Sequence, residues 1–166
     1  MPARIDHIVT PGTFSLDGEV YDVDNNVWVV GDDTECIVID APHDVAAILD
    51  LVGDRHLVAI VCTHAHDDHV RVAPSLAAET GAPILLHPGD APLWELTHPG
   101  TSPSGTLADG DVITVGGAPT NEVLTAAGQN ATVEVKGNDT LGTISVTTGN
   151  NPAIGDLSKI MFNKDY

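Results

Sequence analysis

Basic side chains are scarce in this chain: 6 Lys and Arg stand against 24 Asp and Glu in 166 residues, a formal net charge of −18. A surface that acidic repels phosphate backbones, which excludes nucleic-acid binding through a basic patch. No apolar run approaches the ~18–20 residues of a membrane span, which excludes a transmembrane helix. The opening residues, Met1 to His7, lack the apolar stretch of a secretory signal. Cysteine is limited to Cys36 and Cys62, each inside an apolar run, so a disulfide framework is excluded and both read as buried strand residues. Histidine is missing from 99–166 altogether, although His7, His43, His56, His64, His66, His69, His87 and His98 crowd the first part. The expectation is an acidic, cytoplasmic globular protein with neither nucleic acid nor membrane as partner. Its 42% hydrophobic content suffices for a core.

What is present alternates. Asn26–Gly31 and Glu35–Asp40 read as strands joined by a turn. Asp44–Val52 has apolar residues at helical spacing and is closed by Gly53. Leu57–Cys62 is a continuous apolar strand of the kind buried on both faces. Val70–Thr80 reads as a helix, Pro83–Leu86 and Asp111–Val115 as further strands. Strand, helix, strand, helix, strand means α/β layering. A composition boundary near 116–121 (Gly-Gly-Ala-Pro-Thr-Asn) divides the chain into 1–117 and a β-rich, Thr/Gly-rich 118–166. In the latter, Glu122–Thr125, Ala131–Val135, Leu141–Thr148 and Ser158–Phe162 read as short strands.

Chemistry concentrates in Thr63-His64-Ala65-His66-Asp67-Asp68-His69, directly after the buried strand. Strand carboxyl ends are where α/β proteins place ligand sites. Neutral imidazole and carboxylate are natural ligands for zinc and similar cations. His64 and His66, two apart on extended backbone, project to one side and can grip one ion. Asp68 and His69, on the next turn, suit a second ion a short distance away. Such a pair of ions lowers the pKa of a bound water towards neutrality.

This loop resembles the H-x-H-x-D-H motif of the metallo-β-lactamase superfamily, the αββα metallohydrolases. The likeness spans roughly residues 5–117. It takes in the early strand pair, Val38-Ile39-Asp40-Ala41, Thr63, and the run from Leu107 to Val115. Within the superfamily the chain is most similar to the hydroxyacylglutathione hydrolase-like branch, which hydrolyses thioesters and esters. The resemblance implies an α/β fold, the first half of an αββα sandwich followed by a β-rich segment. It also implies Zn2+, with His64 and His66 on a first ion and Asp68 and His69 on a second. Asp68 would orient the attacking metal-bound hydroxide, and Asp40 would serve the loop behind the site as a structural residue.

The chain departs from the family where the family's second half supplies a third His, a bridging Asp and a last His. No His follows His98. Thr125 stands where a metal-binding His is expected, and Asp139 and Asp156 lack the family's Gly-Asp pattern. The chain is also shorter than the family's duplicated architecture usually needs. At most one zinc per chain is therefore expected, through His64, His66 and either His69 or Asp68. The resulting reading is a zinc-dependent hydrolase of a small ester or thioester with an incomplete ligand set and low turnover. The alternative is a catalytically inactive metal-binding or interaction module. A homodimer covering the open sheet face, with one chain supplying histidines to the other, is a further option. The run from Gly137 through Phe162 is similar in composition to β modules of phage tail and fibre proteins, or is a generic β completion of the core.

Trp94 reads as packing at the sheet edge, with a place in a substrate wall as the alternative. Asp22, Asp24, Asp32 and Asp33 read as a solvated acidic face, with weak calcium binding as the alternative.

Overall fold

The computed structural model describes residues 4–108, 111–115, 131–136 and 143–148. The strands expected at Glu122–Thr125 and Ser158–Phe162, and the residues Thr125, Asp139 and Asp156, lie outside them. No helix among the described residues is long and apolar enough to cross a membrane.

The chain begins with a long hairpin, β1 (Arg4–Leu16) and β2 (Glu19–Gly31). Asp17 and Gly18 form its two-residue turn, both at positive φ (51° and 84°). Asp-Gly is the pair that accepts this backbone, whose twist matches the strands it joins. β3 (Glu35–Ile39) pairs antiparallel with β2, while β4 (His56–Val61), β5 (Ile84–Leu86) and β6 (Gly105–Thr106) add in parallel. The strand order is β1-β2-β3-β4-β5-β6. Parallel neighbours need crossovers. These are α1 (Val45–Val52), and α2 (Asp67–Val70) with α3 (Ala73–Thr80). Asp44 caps α1 by accepting from Ala47 N at 3.0 Å, and Gly53 and Gly81 close α1 and α3.

The helix expected over Val70–Thr80 starts only at Ala73, and Val70 instead ends α2, a separate helical turn that begins in the motif at Asp67. Val72 leaves helical geometry at ψ 6°, and Val72 N bonds to Ala41 O instead, at 3.0 Å. This break lets α2 turn back over the end of β3. A helix α4 (Ala91–Thr97), not foreseen from the sequence, follows β5 through a single 3₁₀ turn, with Pro92 in its first turn.

Alternate strand residues sort to opposite faces. Val27, Val29, Val38 and Ile60 meet Ile48, Leu76 and Trp94 under the helices. Val30, Ile37, Ile39, Ala59 and Val61 gather on the other face with Leu107 and Val115. Val115 belongs to β7 (Val112–Val115), which forms a second antiparallel sheet with β8 (Ala131–Lys136) and β9 (Thr143–Thr148). This is the mixed α/β arrangement anticipated from the sequence. β7 and β8 pair across the composition boundary, and the face without helices is met by β7. Trp94 is buried in the core, and its indole N–H donates to Thr101 Oγ1 at 3.3 Å.

Asp32 does not belong to a solvated acidic face. It is buried, and its Oδ1 accepts from Thr34 N, Thr34 Oγ1 and Glu35 N, shaping the β2–β3 turn.

Candidate active site

β3 and β4 are parallel neighbours, so the residues leaving their carboxyl ends emerge side by side. Asp40 leaves β3, and Thr63 and His64 leave β4. Asp40 takes φ 62°, a left-handed conformation that Asp tolerates better than most residues. Its backbone N still reaches Val61 O at 2.9 Å, while its side chain is directed at the loop. Asp40 Oδ1 accepts from Thr63 N at 2.8 Å, and its carboxylate also takes the Thr63 hydroxyl. Asp40 Oδ2 lies 2.7 Å from His69 Nδ1.

These contacts assign the tautomers of two rings. The Thr63 hydroxyl donates its one hydrogen to Asp40, so at 3.1 Å it accepts from His64 Nδ1–H. His69 Nδ1–H donates to the Asp40 carboxylate. In both rings Nε2 therefore carries the lone pair. One buried carboxylate orients both candidate ligands, one through Thr63 and one directly. Asp40 thus lies behind the loop and holds it.

The candidate ligands fall into two pairs. His64 Nε2 lies 3.0 Å from His66 Nδ1, with the rings nearly perpendicular (85°). Asp68 Oδ2 lies 3.6 Å from His69 Nε2. The His64 and His69 ring centroids are 4.1 Å apart, so the pairs adjoin. Asp68 and His69 sit in the one-turn helix α2 rather than on open loop, and both are buried.

Burial lowers the pKa of His64 to about 3 and lowers that of His66 as well. Burial also pulls on His69, but the charge and hydrogen bond of Asp40, with Asp68 behind, outweigh it and raise its pKa. The first pair thus stays neutral, as metal binding requires.

The sequence motif did not reveal two more residues at this site. Asn25, buried in β2, donates from Nδ2 to Asp68 Oδ2 at 3.0 Å and lies 3.4 Å from His69 Nε2. His43 Nε2 meets Asn25 Oδ1 at 2.8 Å. No local pattern marks Asn25, which stands in a polar stretch of β2 just ahead of the apolar residues 27–30. Neither His87 nor His98 joins the four candidate ligands: His87 Nδ1 accepts from Gly89 N, and His98, which lines the cavity beside His66, donates from Nε2 to Val70 O at 2.9 Å.

The donor set fits a divalent cation in three respects. The neutral rings of His64 and His69 both present the Nε2 lone pair, His64 and His66 nitrogens face each other, and Asp68 Oδ1 is buried with no hydrogen-bond partner among the described residues. Yet no three His, Cys, Asp or Glu side chains among the described residues converge as a cation-binding group. Beside His66 lies a cavity of about 550 Å³, walled by Phe14 and Leu16 from the hairpin and Leu93 and Leu96 from α4. Arg71 lines it too, but is engaged by Asp67 Oδ2 and Thr13 O, each at 2.6 Å.

A family model described as the metallo-β-lactamase superfamily matches residues 20–150. The chain belongs to that superfamily. A hydroxyacylglutathione hydrolase of Nitrosomonas eutropha is 36% identical over 63 residues, 37% of this chain and 24% of that protein. An uncharacterised 11.5 kDa protein of Rhodococcus erythropolis is 55% identical over 38 residues, 23% of this chain and 36% of its own. These matches thus span about a quarter to a third of the relatives' length. Among solved structures, a metallo-β-lactamase from Pontibacter korlensis superposes with TM-score 0.56 at 15% identity, over 87% of this chain and 66% of that one. One from Staphylococcus aureus gives 0.56 at 11% identity, over 89% and 39%. At such identities the likeness establishes the fold.

Proposed function

We propose that this chain is a zinc-dependent hydrolase of small esters or thioesters, acting in the cytoplasm on a substrate whose acyl group enters the cavity beside His66. The observation that carries the reading is the control of two histidine tautomers by Asp40, an arrangement with no purpose in a solvated loop. His64 and His66 would hold one zinc, and Asp68 with His69 would add to it or hold a second weakly. When bound, the cation supplies Lewis acidity and makes water a nucleophile near neutral pH.

The rest falls to the chain's own groups. Asp68 Oδ2 is held by Asn25, leaving Oδ1 to accept the proton of the attacking water. The water oxygen bonds to the carbonyl carbon, the C–O or C–S bond breaks, and the leaving group departs with a proton. Phe14, Leu16, Leu93 and Leu96 offer apolar contact to the acyl group. With Arg71 engaged by Asp67 and Asp17 at the rim, the cavity favours a neutral acyl group over an anionic one. Cytoplasmic placement is supported by two buried free cysteines.

A second reading, an inactive metal-binding or interaction module, is favoured by the lack of a converging third donor among the described residues. Elemental analysis after dialysis, paired with ester and thioester hydrolysis with and without chelator, separates the two. Chelator-sensitive turnover supports the hydrolase; one weakly held zinc without turnover supports the module. Turnover surviving both chelation and D68A removes the loop from the mechanism.

A further inference from the structure

Half-buried His43 and buried Asn25 form a hydrogen-bonded chain that ends on the candidate ligands. Asn25 Oδ1 can only accept, so His43 Nε2–H donates to it at 2.8 Å. The Asp68 carboxylate can only accept, so it fixes which end of the amide is which: the NH2 group faces Asp68 Oδ2, at 3.0 Å, with His69 Nε2 at 3.4 Å, and Oδ1 faces His43. Behind His43 the structure leaves deliberate room. A Cβ on Gly12 would come within 2.3 Å of the His43 ring, so only glycine in β1 lets the imidazole lie there. His43 Nδ1 is buried with no hydrogen-bond partner among the described residues, so the ring's anchoring polar contact is the one to Asn25. Two strands and a loop thus converge to orient one amide.

We propose that Asn25 is a positioning residue for the Asp68–His69 pair and that His43, seated on Gly12, anchors the Asn25 amide from behind. The Asn25 amide ties down Oδ2 of Asp68, so the carboxylate cannot rotate and Oδ1 keeps one direction. An amide with its ends exchanged would set its oxygen against the carboxylate, a repulsive arrangement. His43 Nε2–H, donating to Oδ1, holds the other end of the amide in place. This rests on the reading of Asp68 and His69 as ligands, and extends it to residues outside the motif.

The test is a double-mutant cycle on the full chain, read by Co2+ titration and the visible absorption of the bound ion. N25A should weaken Co2+ binding about 10–100-fold, the usual effect of losing an outer partner, and change the absorption bands. H43A should move affinity and spectrum the same way by less, and should add nothing in the N25A background. H43Q, whose amide N–H can donate to Asn25 Oδ1, should recover part of the loss. Equal effects of H43A in both backgrounds, or an unchanged spectrum in folded N25A, would overturn the proposal. A readout without metal separates this from failure of the hydrolase reading. In chelated protein the urea midpoints of N25A and D68N should shift less together than the sum of the two alone. Additive shifts refute the positioning role, whereas coupling in a chain that binds no cation refutes only the metal.

Discussion

The two pairs of candidate ligands are built in different ways. His64 and His66 are neutral groups in a half-buried niche, in contact with each other, with Thr63 behind His64. Asp68 and His69 carry or face charge, and are surrounded by Asp40, Asn25 and, one step further, His43. The difference follows from desolvation. A neutral imidazole can be buried at modest cost, whereas a buried carboxylate is stable only where hydrogen bonds or opposite charge replace its water. The first pair reaches Asp40 only through Thr63 and otherwise rests on packing, whereas the second is held directly by a polar network. Substitutions should therefore separate them: network residues should cost stability and metal together, packing residues mainly metal.

Asp40 gives the largest effect, because it serves both pairs. D40A removes the acceptor of Thr63 N, the Thr63 hydroxyl and His69 at once. Breaking such a buried pair costs about 3–5 kcal/mol, measurable as a lowered urea midpoint. It should also remove cation binding from both pairs. D40N should cost less, since Asn tolerates the positive φ and retains one acceptor. Equal loss in D40A and D40N would mean that the charge, rather than the acceptor geometry, holds the network.

Asp68 comes next. D68A leaves the Asn25 amide without its acceptor, a penalty of about 1–3 kcal/mol. Turnover should fall by about 10²–10⁴-fold through loss of the proton acceptor. H64A should lower the urea midpoint less than D68A does while lowering zinc content. If H64A destabilised more than D68A, the division between packed and networked pairs would be wrong.

The division was only half legible in the sequence. The motif from His64 to His69 names all four candidate donors, because side chains on one loop are adjacent in the chain as well as in space. The strands β3 and β4 and helix α1 were legible from their apolar runs and caps. β1 was missed although Asp17-Gly18 is a strong hairpin signal, because the strand behind it carries Thr, Pro and Gly in place of an alternating apolar pattern. The break between α2 and α3 was missed because it is caused by a tertiary bond, Val72 N to Ala41 O, that no local pattern encodes. Asn25 and His43 were missed for the same reason. They lie 43 and 25 positions from Asp68 along the chain, and only the pairing of β2 with β3 brings them to the loop.

The smallest expected effect concerns pH in chelated protein, and it distinguishes the pairs by sign. The unfolded chain protonates histidine near the ordinary value of about 6.5. His64, held at about 3 by burial, stays neutral in the fold well below that. Its contribution is therefore intact above about pH 6.5 and is lost progressively on acidification towards 3, as the unfolded state takes up the proton first. His66, also lowered by burial, acts in the same direction. His69 is the reverse. Burial lowers its pKa, but Asp40 overrides that, so the folded ring binds the proton more tightly than the unfolded one. Its contribution is fully present below 6.5 and is lost as pH rises through the folded value. H64Q should thus flatten the decline in urea midpoint between pH 7 and pH 5, and H69Q should steepen it. Neither slope should change by more than about 1.4 kcal/mol per pH unit, the limit for one proton. Slopes moving in the same direction in both variants would show that Asp40 does not outweigh burial at His69, and the two pairs would then be electrostatically alike.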